Sequence, residues 1–167
     1  MFQIVFICSG NICRSPMAEA LLRHLWPPEQ LPRVAIRSAG TLGIFGVPAD
    51  PLAIEALREW GISLSEHHSQ GLRDTLVSQT DLFLVMEAEH RQWMQDIFPE
   101  HASRVYLLTG YGRPNSEPAG GDDIIDPAGL DQAAFVEVRN RIRGEIDRIL
   151  PILLAAANEQ DELEKRS

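Results

Sequence analysis

The chain is poor in cysteine, in aromatic residues and in positive charge, and it has no long apolar run. Two cysteines in 167 residues, Cys8 and Cys13, cannot make a disulfide framework. They also fall short of the four ligands of a structural zinc site. Lysine and arginine together number 15 against 24 acidic residues, a formal net charge of −9. That balance argues against a nucleic-acid partner, which needs a basic surface over its phosphates. No apolar stretch approaches the ~20 residues of a spanning helix, so no membrane insertion is expected. The opening "MFQIVFI" lacks the basic start of a signal peptide, and polar residues follow almost at once. A cytoplasmic location is the expectation. Hydrophobic content of 44% and charged content of 23% are those of an ordinary globular chain, long enough for one core and short for two.

The periodicities describe strands alternating with helices. Phe2 to Ile7 is a continuous apolar run, the signature of a strand buried on both faces. Ser15 reads as a helix N-cap, Pro16 as the first helical position and Glu19 as first-turn acid. Met17, Leu21, Leu22 and Leu25 then form one apolar face, and Pro27-Pro28 ends the helix. Val34–Ser38, Leu82–Met86 and Val105–Leu108 read as further strands, and Asp50–Trp60, Leu72–Ser78 and Ala88–Phe98 as helices. Thr109–Leu130, rich in Gly, Pro, Asn and Asp, reads as loop. Phe135, Val138, Ile142, Ile146, Ile149 and Leu153 recur at helical spacing. The pattern implies a single α/β domain over residues 1–157, a parallel sheet flanked by helices, with 158–167 as a frayed tail.

The stretch "FICSGNICRSP" carries chemistry. It leaves the C-terminal end of a buried strand and enters a helix, where α/β folds bind ligands. Backbone N–H groups of such a loop, with the helix N-terminus, form an anion site. Gly10 and Asn11 tolerate positive φ, so successive N–H groups can converge. Arg14 adds a fork that matches two phosphate oxygens. A lone cysteine at a strand end is usually a small buried hydrophobe. Facing a helix N-terminus and an arginine, it has its thiolate favoured, and beneath a bound phosphate it is a nucleophile aimed at phosphorus. Such a reaction needs a proton for the leaving group, and "GGDDIIDPAGLD" offers Asp122, Asp123, Asp126 and Asp131. Asp126 stands out: Ile124-Ile125 can anchor it and Pro127 stiffens the turn. Asp131 suits the start of the last helix.

"FICSGNICRSPMAEALL" resembles the phosphate-binding loop of the low-molecular-weight protein tyrosine phosphatases, Cys-x-Gly-Asn-x-Cys-Arg-Ser-Pro. The resemblance continues through "SAGT" (38–41), "PADP" (48–51), "GISLSEH" (61–67) and "DP" (126–127), in order along nearly the whole chain. It implies a four-stranded parallel sheet with the loop after the first strand, and hydrolysis of phosphotyrosine in proteins, or of small aryl phosphates, through a cysteinyl-phosphate. On this likeness Cys8 is the nucleophile, Arg14 holds the equatorial oxygens and Asp126 is the general acid. Ser9, Gly10, Asn11, Ile12, Cys13, Arg14 and Ser15 would wrap the phosphate. Ser15 would bond the Cys8 sulfur, and Asn11 would be left-handed and steadied by His67, with His68 as the rival. Neither metal nor other cofactor is implied. A disulfide between Cys8 and Cys13 under peroxide is a further implication.

Departures bear on the substrate. Ala128-Gly129-Leu130 stand where tyrosine-specific members often have aromatic residues, and the loop Leu42–Val47 is short, leaving Phe45 as the expected aromatic wall. Arsenate reductases of this fold carry further downstream cysteines, and none follows Cys13. Phosphotransferase components with a loop cysteine lack the Arg-Ser-Pro ending and the later Asp-Pro. A silent phosphate-binding module would not need Cys8, Arg14 and Asp126 together. Related protein arginine phosphatases place threonine where this chain has Ile12, whose apolar side chain suits a phenyl ring.

Overall fold

The structure, a computed structural model, describes residues 1–114 and 121–166. Part of the expected loop Thr109–Leu130, at 115–120, and the last residue of the expected tail lie outside the described residues. Four parallel strands, β1 (Phe2–Cys8), β2 (Val34–Gly40), β3 (Leu82–Val85) and β4 (Val105–Leu107), lie in the order β2-β1-β3-β4. The helices are α1 (Arg14–Leu25), α2 (Pro51–Arg58), α3 (Asp74–Gln79), α4 (Ala88–Ile97) and α5 (Gln132–Arg166).

All seven residues of β1 are buried, which explains its unbroken apolar run. Ile4, Phe6 and Cys8 point into one core with Met17, Leu21 and Leu22 of α1 and Phe135, Ile142, Ile146 and Ile149 of α5. Val5 and Ile7 point to the other face, where they meet Phe83 and Val85 of β3, Val77 of α3 and Met94 of α4. Alternate residues of one strand thus serve two cores. Each fully buried Ile or Phe there contributes about 1.5–3 kcal/mol relative to exposure. The chain leaves β1 toward β2 on one side and returns to β3 on the other, so the C-terminal end of β1 is a topological switch point with a crevice above it.

Three local expectations need correction. α1 begins at Arg14 with Cys13 as an unbonded cap and no acidic residue in its first turn; the Ser15 hydroxyl is taken by the Cys8 sulfur instead of capping the helix. β2 runs on through Gly40, because Gly40 N–H bonds the Gln70 carbonyl at 2.8 Å and its register with Cys8 continues the ladder. The polar stretch from 158 is helical through Arg166 as part of α5. It is tied down by Arg33–Asp161 at 3.2 Å and by the N-terminal ammonium on Glu164.

Candidate active site

The loop between β1 and α1 curls over Cys8, which is buried (3% exposed). Asn11 makes that curl possible, with φ of +57°, the one positive-φ non-glycine residue among those described. Asparagine tolerates that conformation better than most residues, and here every polar group of its side chain is used. Its Nδ2 donates to Ser15 Oγ and to Ser38 Oγ, each at 2.9 Å, and its Oδ1 accepts from the Gln70 N–H at 2.8 Å. Its carbonyl accepts from His67 Nε2 at 2.8 Å. His68 is turned outward, its Nδ1 3.2 Å from the Glu66 carbonyl, so of the two histidines it is His67 that holds the loop. Gly40 lies under the same curl: a Cβ there would stand 2.6 Å from the Ser9 carbonyl and 2.9 Å from the Asn11 nitrogen. Only glycine lets β2 approach so closely.

Two polar groups converge on the Cys8 sulfur. The Asn11 N–H reaches it at 3.3 Å and Ser15 Oγ lies at 3.0 Å. Ser15 Oγ accepts from Asn11 Nδ2 at 2.9 Å and has two acceptors for its own hydrogen, the Cys8 sulfur at 3.0 Å and, at the longer 3.4 Å, the Ala39 carbonyl. Donation to sulfur is the arrangement suited to a sulfur anion. Cys13 is buried as well, and both cysteines are free thiols. Burial, reinforced by the negative charge of Asp50, pushes the Cys13 thiol up to about 12, so at neutral pH it is a neutral thiol.

Arg14, 1% exposed, enters from the first turn of α1. Its Nη1 pairs with the Glu87 carboxylate and donates to the Ile124 carbonyl at 2.7 Å, while Nη2 lies 3.4 Å from Asp126 Oδ2. Of the four aspartates in the acidic loop, Asp126 is the one on the pocket. Asp123 Oδ1 accepts from the Ala88 N–H at 2.8 Å, Asp131 Oδ1 from the Ala134 N–H at 3.1 Å as a cap for α5, and Asp122 lies 3.9 Å from Arg141. Ile124 anchors the loop, buried and bonded through its N–H to the Met86 carbonyl at 2.8 Å. Ile125 is 57% exposed and does not share that task. Pro127 is buried, and Asp126 Oδ1 accepts from the Ala128 N–H at 3.1 Å.

The pocket above Cys8 holds about 330 Å³ and is walled by Ile12, Leu42, Ile44 and Ala128, with carboxylates from Asp50 and Asp126. Phe45 is not in it. The Phe45 ring lies on the far side of its loop, against Gly71 and beneath the Arg73 guanidinium, 4.6 Å from its centroid. The flanking glycines, with φ of +66° at Gly43 and +74° at Gly46, carry the chain around that corner. Among the described residues the pocket wall is aliphatic where an aromatic one was expected.

Glu87, His90 and Asp50 escaped the sequence reading. Glu87 caps α4 and shares its capping box with His90. His90 Nδ1 accepts from the Glu87 N–H at 3.2 Å, which leaves the proton on Nε2 to donate to Ser9 Oγ at 2.8 Å. Burial, helped by the Arg14 charge, pushes His90 down to about 4, so the ring stays neutral. Both residues follow the end of β3, the strand beside β1, and the switch-point rule applied there was the signal that could have found them. Asp50 accepts from the Leu52 N–H at 2.8 Å as the cap of α2, a role that gives no hint of its place at the pocket mouth.

Fold and loop together define an α/β protein with a pocket at its switch point, a sulfur at the pocket's floor, an arginine beside it and a carboxylate at its rim. The family model for low molecular weight phosphotyrosine protein phosphatase matches residues 3–163. The chain belongs to that family. It is 39% identical over 152 residues to "Probable low molecular weight protein-tyrosine-phosphatase EpsP" of Ralstonia nicotianae, covering 91% of this chain and 96% of that protein. The YwlE arginine phosphatase from Geobacillus stearothermophilus superposes with a TM-score of 0.82 at 32% identity, over 95% of this chain and 97% of that one. The tyrosine phosphatase Wzb from Escherichia coli K30, solved with sulphate, superposes with a TM-score of 0.78 at 33% identity, over 92% and 99% of the two chains.

Proposed function

We propose that this protein hydrolyses phosphotyrosine in proteins, with Cys8 as nucleophile, Arg14 as phosphate clamp and Asp126 as general acid. The observation that carries the reading is the convergence of the Asn11 N–H and Ser15 Oγ on the Cys8 sulfur at the floor of a pocket whose rim holds Asp126. Ser9 to Ser15 would wrap the phosphate, with their N–H groups and Arg14 taking the three equatorial oxygens. The Cys8 thiolate attacks phosphorus, the S–P bond forms as the P–O bond to tyrosine breaks, and Asp126 gives its proton to the departing phenolate. Asp126 then takes a proton from a water molecule. That water's oxygen attacks phosphorus, breaks the S–P bond and returns Cys8 as thiolate with release of inorganic phosphate. Arg14 exchanges part of its pairing with Glu87 and Asp126 for substrate oxygens, while Ser15, Asn11 and His67 keep the loop in shape. None of these steps calls on a metal or other cofactor.

Ile12, Leu42 and Ile44 offer an apolar slot for a phenyl ring, which favours tyrosine. A second reading, phosphoarginine, draws on the same pocket: among its described lining residues none is aromatic, and Asp50 and Asp126 could face a guanidinium. Kinetics on matched phosphotyrosine, phosphoarginine and phosphoserine peptides decide between them. We expect kcat/KM for phosphotyrosine to exceed the other two by at least about tenfold, within what an apolar pocket discriminates. Faster turnover of phosphoarginine would transfer the assignment to the second reading. A cytoplasmic site of action is part of the proposal, in keeping with a cysteine count too low for a disulfide framework. A Cys8–Cys13 disulfide under peroxide is also carried forward, formed with loss of water from a Cys8 sulfenic acid. Neutral Cys13 would make it slow at neutral pH and faster as pH rises.

A further inference from the structure

A second cleft lies across the loop 41–47 from the pocket. It holds about 320 Å³ and is lined by Arg37, Phe45, Gln70, Gly71, Arg73 and Gln79, among others. Arg37 and Arg73 are both exposed, and among the described residues neither guanidinium has an acidic partner within ion-pair distance, although the chain carries 24 acidic residues. The nearest candidate on α1, Glu19, shares a neighbouring cleft with Arg37, but its oxygens are taken by Arg23 at 3.0 Å and Ser38 at 2.6 Å. Arg73 is held over the half-exposed Phe45 ring at 4.6 Å, a contact that restrains the side chain while its guanidinium keeps its donors for a planar anion.

The loop joins this cleft to the chemistry. Leu42 N–H bonds the Ser9 carbonyl at 3.0 Å, and Leu42 and Ile44 wall the pocket while Phe45 floors the cleft. Phe45 follows Leu42 by three residues, so the two backbones are at most about 10 Å apart. On β2, Arg37 stands opposite Val5 while Gly40 stands opposite Cys8, a separation of about 10 Å along the strand. An extended peptide with its phosphorylated residue in the pocket reaches that far in about three residues.

We propose that Arg37 and Arg73 form a docking subsite for an acidic side chain of the substrate protein, a few residues from the phosphorylated one. The proposal rests on the phosphatase reading above and adds the class of substrate: an acidic segment. A net charge of −9 repels such segments in general, so a local basic cleft beside the pocket gives them one favourable approach and orientation.

The test uses phosphotyrosine peptides carrying an Asp-Glu pair at two to five residues on either side, with alanine-flanked and lysine-flanked controls. Each is assayed with wild type and with the R37A/R73A and R37E/R73E variants, beside para-nitrophenyl phosphate as a small substrate. Binding of the same peptides, with a phosphonate in place of the phosphate, is measured by fluorescence anisotropy. We expect an acidic flank at one of these spacings to be preferred by wild type. For that peptide the alanine variant should raise KM about three- to tenfold and the glutamate variant more, with kcat held. Para-nitrophenyl phosphate should be turned over unchanged by all three. The glutamate variant should prefer the lysine-flanked peptide, and salt should compress all these differences. Equal loss on every peptide, or no loss on any, overturns the subsite. If wild type turned over no phosphate ester, the phosphatase reading would fall instead, and the anisotropy difference would still decide the subsite.

Discussion

Replacing Cys8 by serine is expected to remove turnover by roughly 10⁴–10⁶-fold, the scale seen when a covalent nucleophile is deleted, while phosphate or vanadate still binds. The two effects separate because they use different atoms. The proposed cradle is made of loop N–H groups and Arg14, and the loop's shape is set by Asn11, whose amide and carbonyl bond Ser15, Ser38, Gln70 and His67. None of those bonds involves sulfur. A serine hydroxyl at this position still accepts from the Asn11 N–H and meets Ser15, but it is not ionised at neutral pH and attacks phosphorus poorly. The site is buried at 3% exposure and the change in volume is small, so folding should survive. Steady-state assay on an aryl phosphate, paired with calorimetric titration of vanadate, reads both halves. Turnover within tenfold of wild type would remove Cys8 from the mechanism, and loss of anion binding would show that the sulfur helps to hold the loop.

Asp126→Ala should slow hydrolysis of phosphotyrosine by roughly 10²–10⁴-fold and barely affect aryl phosphates with activated leaving groups. A tyrosine phenolate leaves poorly without a proton, whereas an electron-poor phenolate leaves unaided. The carboxylate is placed for this role: it is nearly half exposed (47%), 3.4 Å from Arg14 Nη2, and on a loop pinned by Ile124 and Asp123 to the end of β3. Those pins lie on other residues, so truncating Asp126 should leave the loop where it is. A plot of rate against leaving-group pKa gives the result: a nearly flat line for wild type and a steep one for the variant. If Asp126→Ala were harmless and Asp123→Ala crippling, the acid would be reassigned, although Asp123 is bonded to the Ala88 N–H.

Features that depend on neighbours in the chain were legible in the sequence. The unbroken run of β1 and the six apolar positions of α5 each state a local requirement, and each is met. Of Gly10 and Asn11, which both tolerate positive φ, only the family likeness singled out Asn11, and it is Asn11 that adopts it. His67 was reached only through the likeness to a family, since nothing local separates it from His68. Glu87 and His90 were missed because their importance comes from β3 lying beside β1, and strand order is written in no short segment. Ser15 shows the opposite error. A serine at a helix start promises a cap, but the sulfur at 3.0 Å competes for its hydroxyl, and tertiary chemistry overrides the local preference. Phe45 was misplaced for a related reason: two left-handed glycines turn its loop, and the ring finds Gly71 and Arg73 instead of the pocket.

The central claim is that phosphate passes through the Cys8 sulfur. Rapid mixing of wild type with a phosphotyrosine peptide, quenching within milliseconds and mass spectrometry of the digested protein test it directly. The account predicts one added phosphoryl group on the peptide containing Cys8, appearing before steady state, stable to the quench, and absent from Cys8→Ser. Rapid turnover with no phosphorylated cysteine at any quench time, or with the phosphoryl group on another residue, would contradict it.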